Sequence, residues 1–194
     1  MILYLHGFRS SPQSFKARLL GERMKELGKG DQYVCPLLPA SPKEVIDLSL
    51  KLVEGCAPEE LTVIGSSLGG FYATYLAERL GCKAVLLNPA VRSFRDLEKY
   101  VGVTTRFHDD APFEFKREYI DELRSLAVEH ITHPQRYLLI AATGDEVLDW
   151  REMVAHYPGA HHRIIEGGDH GISGFADYAD EVLAFCGVIS QGKC

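Results

Sequence analysis

Leu61-Thr62-Val63-Ile64-Gly65-Ser66-Ser67-Leu68-Gly69-Gly70-Phe71-Tyr72-Ala73 is the stretch on which the fold turns. A short apolar run ends at Gly65, and helical spacing begins at Ser67, with Phe71, Ala73, Tyr75 and Leu76 on one buried face. A strand that turns abruptly into a helix around G-x-S-x-G places its serine in a strained conformation, with glycines two residues to either side keeping Cβ atoms out of the crowded turn. Ser67 is therefore expected to raise its Oγ above the end of a sheet, where the helix N-terminus favours developing negative charge. Its neighbour Ser66 lacks glycine at both flanking offsets. The bland alternative is an ordinary strand-to-helix turn.

Outward from this junction, short apolar runs alternate with longer amphipathic stretches. Strands are expected at Ile2 to His6, Tyr33 to Leu38, Leu61 to Gly65, Ala84 to Asn88, Tyr137 to Ala142 and Arg163 to Glu166. Helices are expected at Ser11 to Leu27, Pro42 to Val53, Ser67 to Leu80, Arg117 to His130, Trp150 to His156 and Gly174 to Phe185. Continuous apolar strands separated by helices imply an α/β fold, a mostly parallel sheet of about six strands covered on both faces and wound by right-handed crossovers. The length of 194 residues suits one domain, 1–194. One segment breaks the rhythm: from Val91 to about Phe115 the chain is rich in Arg, Phe and Asp without clean periodicity, which reads as a lid or pocket loop over 92–115.

Two further strand ends bear groups that fit a nucleophilic serine. Tyr137 to Ala142 leads into Thr143-Gly144-Asp145-Glu146-Val147-Leu148-Asp149, and Arg163 to Glu166 leads into Gly167-Gly168-Asp169-His170-Gly171. The order Ser67, Asp145, His170 supplies nucleophile, orienting acid and base for acyl transfer. Asp149 competes with Asp145 for the acid but reads better as the N-cap of the helix starting at Trp150. Asp169 is expected to shape the loop beside His170. The other histidines, among them His108, His130, His133, His156, His161 and His162, lack the glycine-flanked strand end and read as solvated or structural. After the first strand, His6-Gly7-Phe8 offers a turn whose backbone can help to bind an oxyanion, with donors expected from Phe8 and Leu68 and with His6 ordering the loop.

Composition narrows the function classes. A net charge of −6 disfavours a nucleic-acid surface, and no apolar run approaches the roughly 20 residues of a membrane span. Ile2-Leu3-Tyr4-Leu5 follows Met1 directly, without a basic leader, so the expected compartment is cytoplasmic. Cys35, Cys56, Cys82, Cys186 and Cys194 are odd in number and scattered, which suits reduced thiols better than disulfides or a zinc site.

These residues together resemble the α/β-hydrolase superfamily, and within it the bacterial YqiA-type esterases. The resemblance covers nearly the whole chain and rests on Ile2-Leu3-Tyr4-Leu5-His6-Gly7-Phe8 with Ser10-Ser11-Pro12, on Ile64 to Ala73, on Leu87-Asn88-Pro89-Ala90-Val91-Arg92, on Thr143 to Asp149 and on Glu166 to His170. It implies a serine esterase or thioesterase acting on acyl-CoA or small aryl esters through Ser67, Asp145 and His170, with no metal and no cofactor. It also implies a minimal α/β-hydrolase fold that begins at the strand carrying His6-Gly7-Phe8 and lacks a separate cap domain. Arg92 and Arg95 are the substrate-binding candidates, since cations in 92–115 suit coenzyme A phosphates, while Phe94, Phe107, Phe113 and Phe115 offer aromatic surface for an acyl group. The same residues also suit an acyltransferase with an acceptor other than water, or a ligand-binding protein that retains the scaffold without turnover.

Overall fold

The computed structural model describes residues 1–106 and 111–190. The first strand, β1 (Ile2–Leu5), is followed by α1 (Phe15–Glu26), β2 (Tyr33–Val34), α2 (Pro42–Leu52), β3 (Thr62–Ser66), α3 (Leu68–Leu80) and β4 (Lys83–Leu87). An excursion then holds α4 (Ser93–Asp96), β5 (Gly102–Thr105) and β6 (Pro112–Phe115). The chain returns through α5 (Glu118–Ser125), β7 (Tyr137–Ala142), α6 (Trp150–His156), β8 (His161–Ile165) and α7 (Ala179–Phe185).

Six strands form one sheet in the order β2-β1-β3-β4-β7-β8, and every pairing in it is parallel. The apolar runs are buried on both faces because successive side chains alternate between two cores. Leu3, Leu5, Val63, Leu86 and Leu139 face α2, α3, α5 and α6, while Ile2, Tyr4, Ile64, Val85, Leu87 and Ile140 face α1 and α7. From β1 the chain steps outward to β2 and then back past β1 to β3, so the strand order reverses between β1 and β3. In open parallel sheets ligands bind outside the carboxyl ends of the strands at such a reversal. Here those ends carry His6-Gly7-Phe8 and Ser67.

The expected α/β architecture is the observed one, with differences at element ends. The second strand stops at Val34 rather than Leu38: it is an edge strand, and Pro36 has no N–H to offer a ladder. The first helix starts at Phe15, since Ser11-Pro12 form a turn in which Ser11 Oγ accepts from the Gln13 N–H. The fifth helix ends at Ser125, and the last begins as a 3₁₀ turn at Phe175–Tyr178 before α7. Within 92–115, expected to be irregular, β5 and β6 pair as an antiparallel hairpin, Gly102 opposite Phe115 and Thr105 opposite Pro112. Phe107 and His108 lie outside the described residues, as does Cys194.

The tightest junction is where α3 meets β1 and β3. A Cβ on Gly69 would lie 2.0 Å from Leu5 O and 2.8 Å from His6 O, and one on Gly65 would lie 2.1 Å from Gly69 O. Backbone cannot swing aside as a side chain does. Gly69→Ala is therefore expected to destabilise the protein by about 3 kcal/mol or more, or to prevent soluble expression, as measured by urea unfolding. A loss under about 1 kcal/mol would show that the junction is looser than its geometry.

Candidate active site

Ser67 occupies the strand-to-helix corner with φ 54° and ψ −120°, a region that a non-glycine residue enters only when its surroundings force it. Three hydrogen bonds clamp it there: its N–H donates to Leu87 O at 3.0 Å, and its own carbonyl accepts from Gly70 N–H at 2.9 Å and from Ala90 N–H at 3.0 Å. A Cβ on Gly7 would stand 3.3 Å from Ser67 Cβ, so the His6–Arg9 turn lies directly against the serine.

His170 Nε2 is 2.9 Å from Ser67 Oγ, and its Nδ1 is 2.7 Å from Asp145 Oδ2. An ionised carboxylate only accepts, so Nδ1–H donates to Asp145, which leaves Nε2 of the neutral ring to accept from the Ser67 hydroxyl. The Asp145 side chain is 0% exposed, and its other oxygen accepts from the N–H groups of Val147 at 2.8 Å and Leu148 at 2.9 Å. Those bonds turn the short loop after β7 around the carboxylate. Asp149 instead caps α6 by accepting from Arg151 N–H at 2.9 Å. Asp169 shapes the loop before His170, accepting from both the N–H and the hydroxyl of Ser173.

His6 orders its own turn: Nε2 accepts from Leu38 N–H at 3.1 Å, which leaves Nδ1–H to donate to Gly7 O at 3.0 Å. Beyond it, Phe8 and Leu68 face a cavity of about 480 Å³ together with Ser67 and His170. Neither backbone N–H of that pair has a partner among the described residues. Phe8 is fixed by edge-to-face contacts with Phe113 and Phe115 of the hairpin, ring centroids 5.3 and 5.1 Å apart, and Arg9 donates to Thr105 O of the same hairpin. Among the described residues no three His, Cys, Asp or Glu side chains gather as a metal site.

Residues 1–187 match the Uncharacterised protein family (UPF0227). The chain belongs to that family. Its fold is that of the α/β-hydrolases, as three similar structures illustrate. A protein of Agrobacterium vitis S4 provisionally described as a hydrolase aligns with TM-score 0.76 at 19% identity, over 95% of this chain and 87% of the other. The metagenome-derived lipolytic enzymes LipS and LipT give TM-score 0.70 at 16% identity, over 95% and 92%. The esterase domain of a Rhodothermus marinus protein gives 0.67 at 19%, over 95% and 85%.

In this UPF0227 member, Ser67, Asp145, His170, Phe8 and Leu68 converge on one cavity wall or on one another. Arg92 and Arg95 do not. Neither lines the cavity, and the Arg95 guanidinium forks onto Glu152 at 2.9 and 2.8 Å while its Nε donates to Asp96. The cations that do line it are Arg9, Lys16 and Lys99. The expected aromatic surface is likewise displaced: Phe115 is buried under Phe8, Phe113 packs on Phe8, and the aromatic side chains at the cavity include Tyr4, Phe8, Phe15 and Tyr100.

Sequence reasoning passed over three residues that hold the histidine loop. Glu146 Oε2 accepts from His170 N–H at 3.0 Å, and Lys16 Nζ donates to Gly171 O. Asn88, fully buried with φ 44°, donates from Nδ2 to Asp169 O at 3.1 Å and His170 O at 3.0 Å, and accepts at Oδ1 from Ala142 N–H at 2.8 Å. Asn88 follows β4 in a segment already singled out for its resemblance, but nothing in its spacing discloses three cross-chain bonds. Asn88→Ala leaves those buried groups unpaired and is expected to cost at least about 2 kcal/mol in urea unfolding. An unchanged unfolding midpoint would mean that the loop is held elsewhere.

Proposed function

We propose that the protein hydrolyses carboxylic esters, thioesters second, through an acyl-enzyme on Ser67. The observation that carries this reading is the unbroken line Asp145–His170–Ser67, with 2.7 and 2.9 Å separations and a buried carboxylate at its far end. Each link has a defined task. His170 Nε2 takes the Ser67 proton as Oγ attacks the substrate carbonyl, and Asp145 holds the ring in the tautomer that leaves Nε2 free and stabilises the imidazolium. The tetrahedral oxyanion is received by the unpartnered N–H groups of Phe8 and Leu68, the latter also the first N–H of α3, where the helix field adds to the attraction. His170 then returns the proton to the leaving alkoxide or thiolate, and a water activated by the same nitrogen releases the acid.

The cavity supports a small organic substrate, because 480 Å³ falls in the usual range for such sites and its wall includes Phe8, Phe15, Leu68, Leu97, Tyr100 and Leu148. Residues 92–115 contribute Asp96, Leu97, Lys99 and Tyr100 to this wall, and through the hairpin they buttress Phe8. They act as a pocket wall in this reading, not as a free lid. No coenzyme A role is assigned to Arg95, whose charge is engaged by Glu152 and Asp96. The esterases and lipolytic enzymes among the similar structures favour an ester over an amide.

A fluorophosphonate probe is expected to label Ser67 in the folded protein, and Ser67→Ala to abolish both labelling and the turnover of 4-nitrophenyl butyrate while leaving unfolding nearly unchanged. His170→Ala should be about as damaging, and the double mutant little worse than either, since members of one catalytic unit are not additive. A folded wild-type protein that resists the probe and turns over no ester of graded chain length would overturn the proposal.

The acid is tested separately. Asp145→Asn keeps the shape but disfavours the required tautomer, so kcat is expected to fall about 10³- to 10⁴-fold. Asp149→Asn should change kcat less than about tenfold, because asparagine also caps helices. Equal effects of the two substitutions would remove the distinction between them.

A further inference from the structure

Two parts of the cavity wall come from distant parts of the chain. The excursion after β4 contributes Asp96, Leu97, Lys99 and Tyr100, and the loop between β7 and α6 contributes Val147 and Leu148. The second wall is fixed to the acid of the triad, since Asp145 Oδ1 accepts from the N–H groups of both Val147 and Leu148. The first is built on α4, a helix of four residues and too short to hold itself. What joins α4 to its surroundings therefore governs where Leu97 and Tyr100 stand.

On one side it is tied to α5: Arg117 Nη1 donates to Glu98 Oε1 at 3.3 Å, and the Arg124 guanidinium lies 5.9 Å from the centre of the Phe94 ring. Arg95 reaches the other way. Its Nη1 and Nη2 donate to the two oxygens of Glu152 on α6 at 2.9 and 2.8 Å, and its Nε donates to Asp96 Oδ1 at 2.7 Å. Glu152, Arg95 and Asp96 thus form a line that starts on α6, directly after the Val147-Leu148 wall, and ends on the excursion wall at Asp96. Arg95 and Glu152 do not themselves line the cavity, so they bridge the two walls from outside it. A pair this exposed, with 47% and 37% of the two side chains open to solvent, adds little to folding stability. A doubly bonded fork nevertheless fixes direction as a single contact does not. The Arg95 guanidinium holds the Glu152 carboxyl below its usual range, so both ends are charged at neutral pH, and Arg92 is near enough to add to that effect.

We infer that Arg95 and Glu152 are positioning residues that set the width of the substrate cavity, so that their pairing selects slender esters and its loss admits bulkier ones. This rests on the reading of Ser67 as the nucleophile. The bulk that meets the bridged walls belongs either to the acyl half of the substrate or to its alcohol half, and the clasp acts in the same way on both.

The test compares kcat/KM within two pairs of esters that differ in bulk away from the carbonyl. For the acyl half, 4-nitrophenyl 4-phenylbutyrate is set against 4-nitrophenyl butyrate; for the alcohol half, 4-tert-butylphenyl butyrate against phenyl butyrate. Glu152→Gln keeps the side-chain shape and removes the partner of Arg95. It is expected to raise the bulky-to-slender ratio of one pair about threefold to tenfold over wild type, through KM of the bulky ester, and that pair identifies the half concerned. Arg95→Met should do the same, Arg95→Lys, which keeps the charge but loses the fork, should fall between, and the double variant should not exceed the larger single effect. Both kcat for the slender ester and labelling by a fluorophosphonate should stay near wild type. Ratios within about twofold of wild type in both pairs, for Glu152→Gln and Arg95→Met alike, overturn the clasp while leaving ester hydrolysis intact. A shift in one of these two variants without the other overturns their pairing as its cause. An equal loss of kcat on both members of each pair overturns the positioning role in favour of general damage to the site. No turnover of any of the four esters by the wild-type protein overturns the proposed function and this inference with it.

Discussion

The first turn of α3 is pressed into the ends of β1 and β3 more closely than any residue with a side chain allows. Gly69 lies over the carbonyl of Leu5, Gly65 under the carbonyl of Gly69, and Gly7 against Ser67. These contacts force Ser67 into a positive φ, a conformation whose strain is of order 1–3 kcal/mol. Hydrogen bonds to Leu87, Gly70 and Ala90 offset that strain and leave the corner over-determined. A serine held this way cannot relax away from His170, so its direction is set before any ligand arrives. The remaining parts of the site are placed relative to it.

Around that corner the sheet topology sorts the chemistry. The reversal of strand order between β1 and β3 opens a crevice at their carboxyl ends, and the turn after β1 and the start of α3 each bring one idle backbone donor to it, Phe8 N–H and Leu68 N–H. Asp145 and His170 come from the ends of β7 and β8, at the other side of the sheet. Asn88, at the end of the intervening β4, joins that strand to the ends of β7 and β8 by bonding Ala142 and the carbonyls of Asp169 and His170. Parallel strands whose ends are cross-linked in this way give a histidine on a loop the positional accuracy of one on a strand.

The excursion between β4 and α5 has a different relation to the site. It forms a small sheet of its own that leans on Phe8 through two perpendicular aromatic contacts and on Arg9 through a hydrogen bond. Its arginine-rich character led to an expectation of direct ligand contact, yet Arg95 spends its charge on Glu152 and Asp96. One of those carboxylates is the next residue, and the other lies 57 positions away on α6. Of the cations at the cavity, Lys99 comes from this same excursion and Arg9 from the turn after β1, whereas Lys16 lies on an amphipathic helix that displayed no signal.

Local patterns were sufficient for much of this protein. Apolar runs of strand length, each followed by a helical stretch, determine a parallel α/β sheet, because a strand without a polar face is stable only when covered on both sides. The glycines around Ser67, and the glycine-flanked strand ends at Asp145 and His170, announce the elbow and its partners, because tight turns restrict which residues fit them. The preference for Asp145 over Asp149 was also legible, since capping is a matter of a few neighbouring residues. Tertiary structure alone decided which side chains face the cavity, which arginine is neutralised, and that Asn88, Glu146 and Lys16 hold the histidine loop. These depend on contacts between residues 24 to 155 positions apart, and side-chain direction across such distances follows from how whole elements pack, not from any local rule.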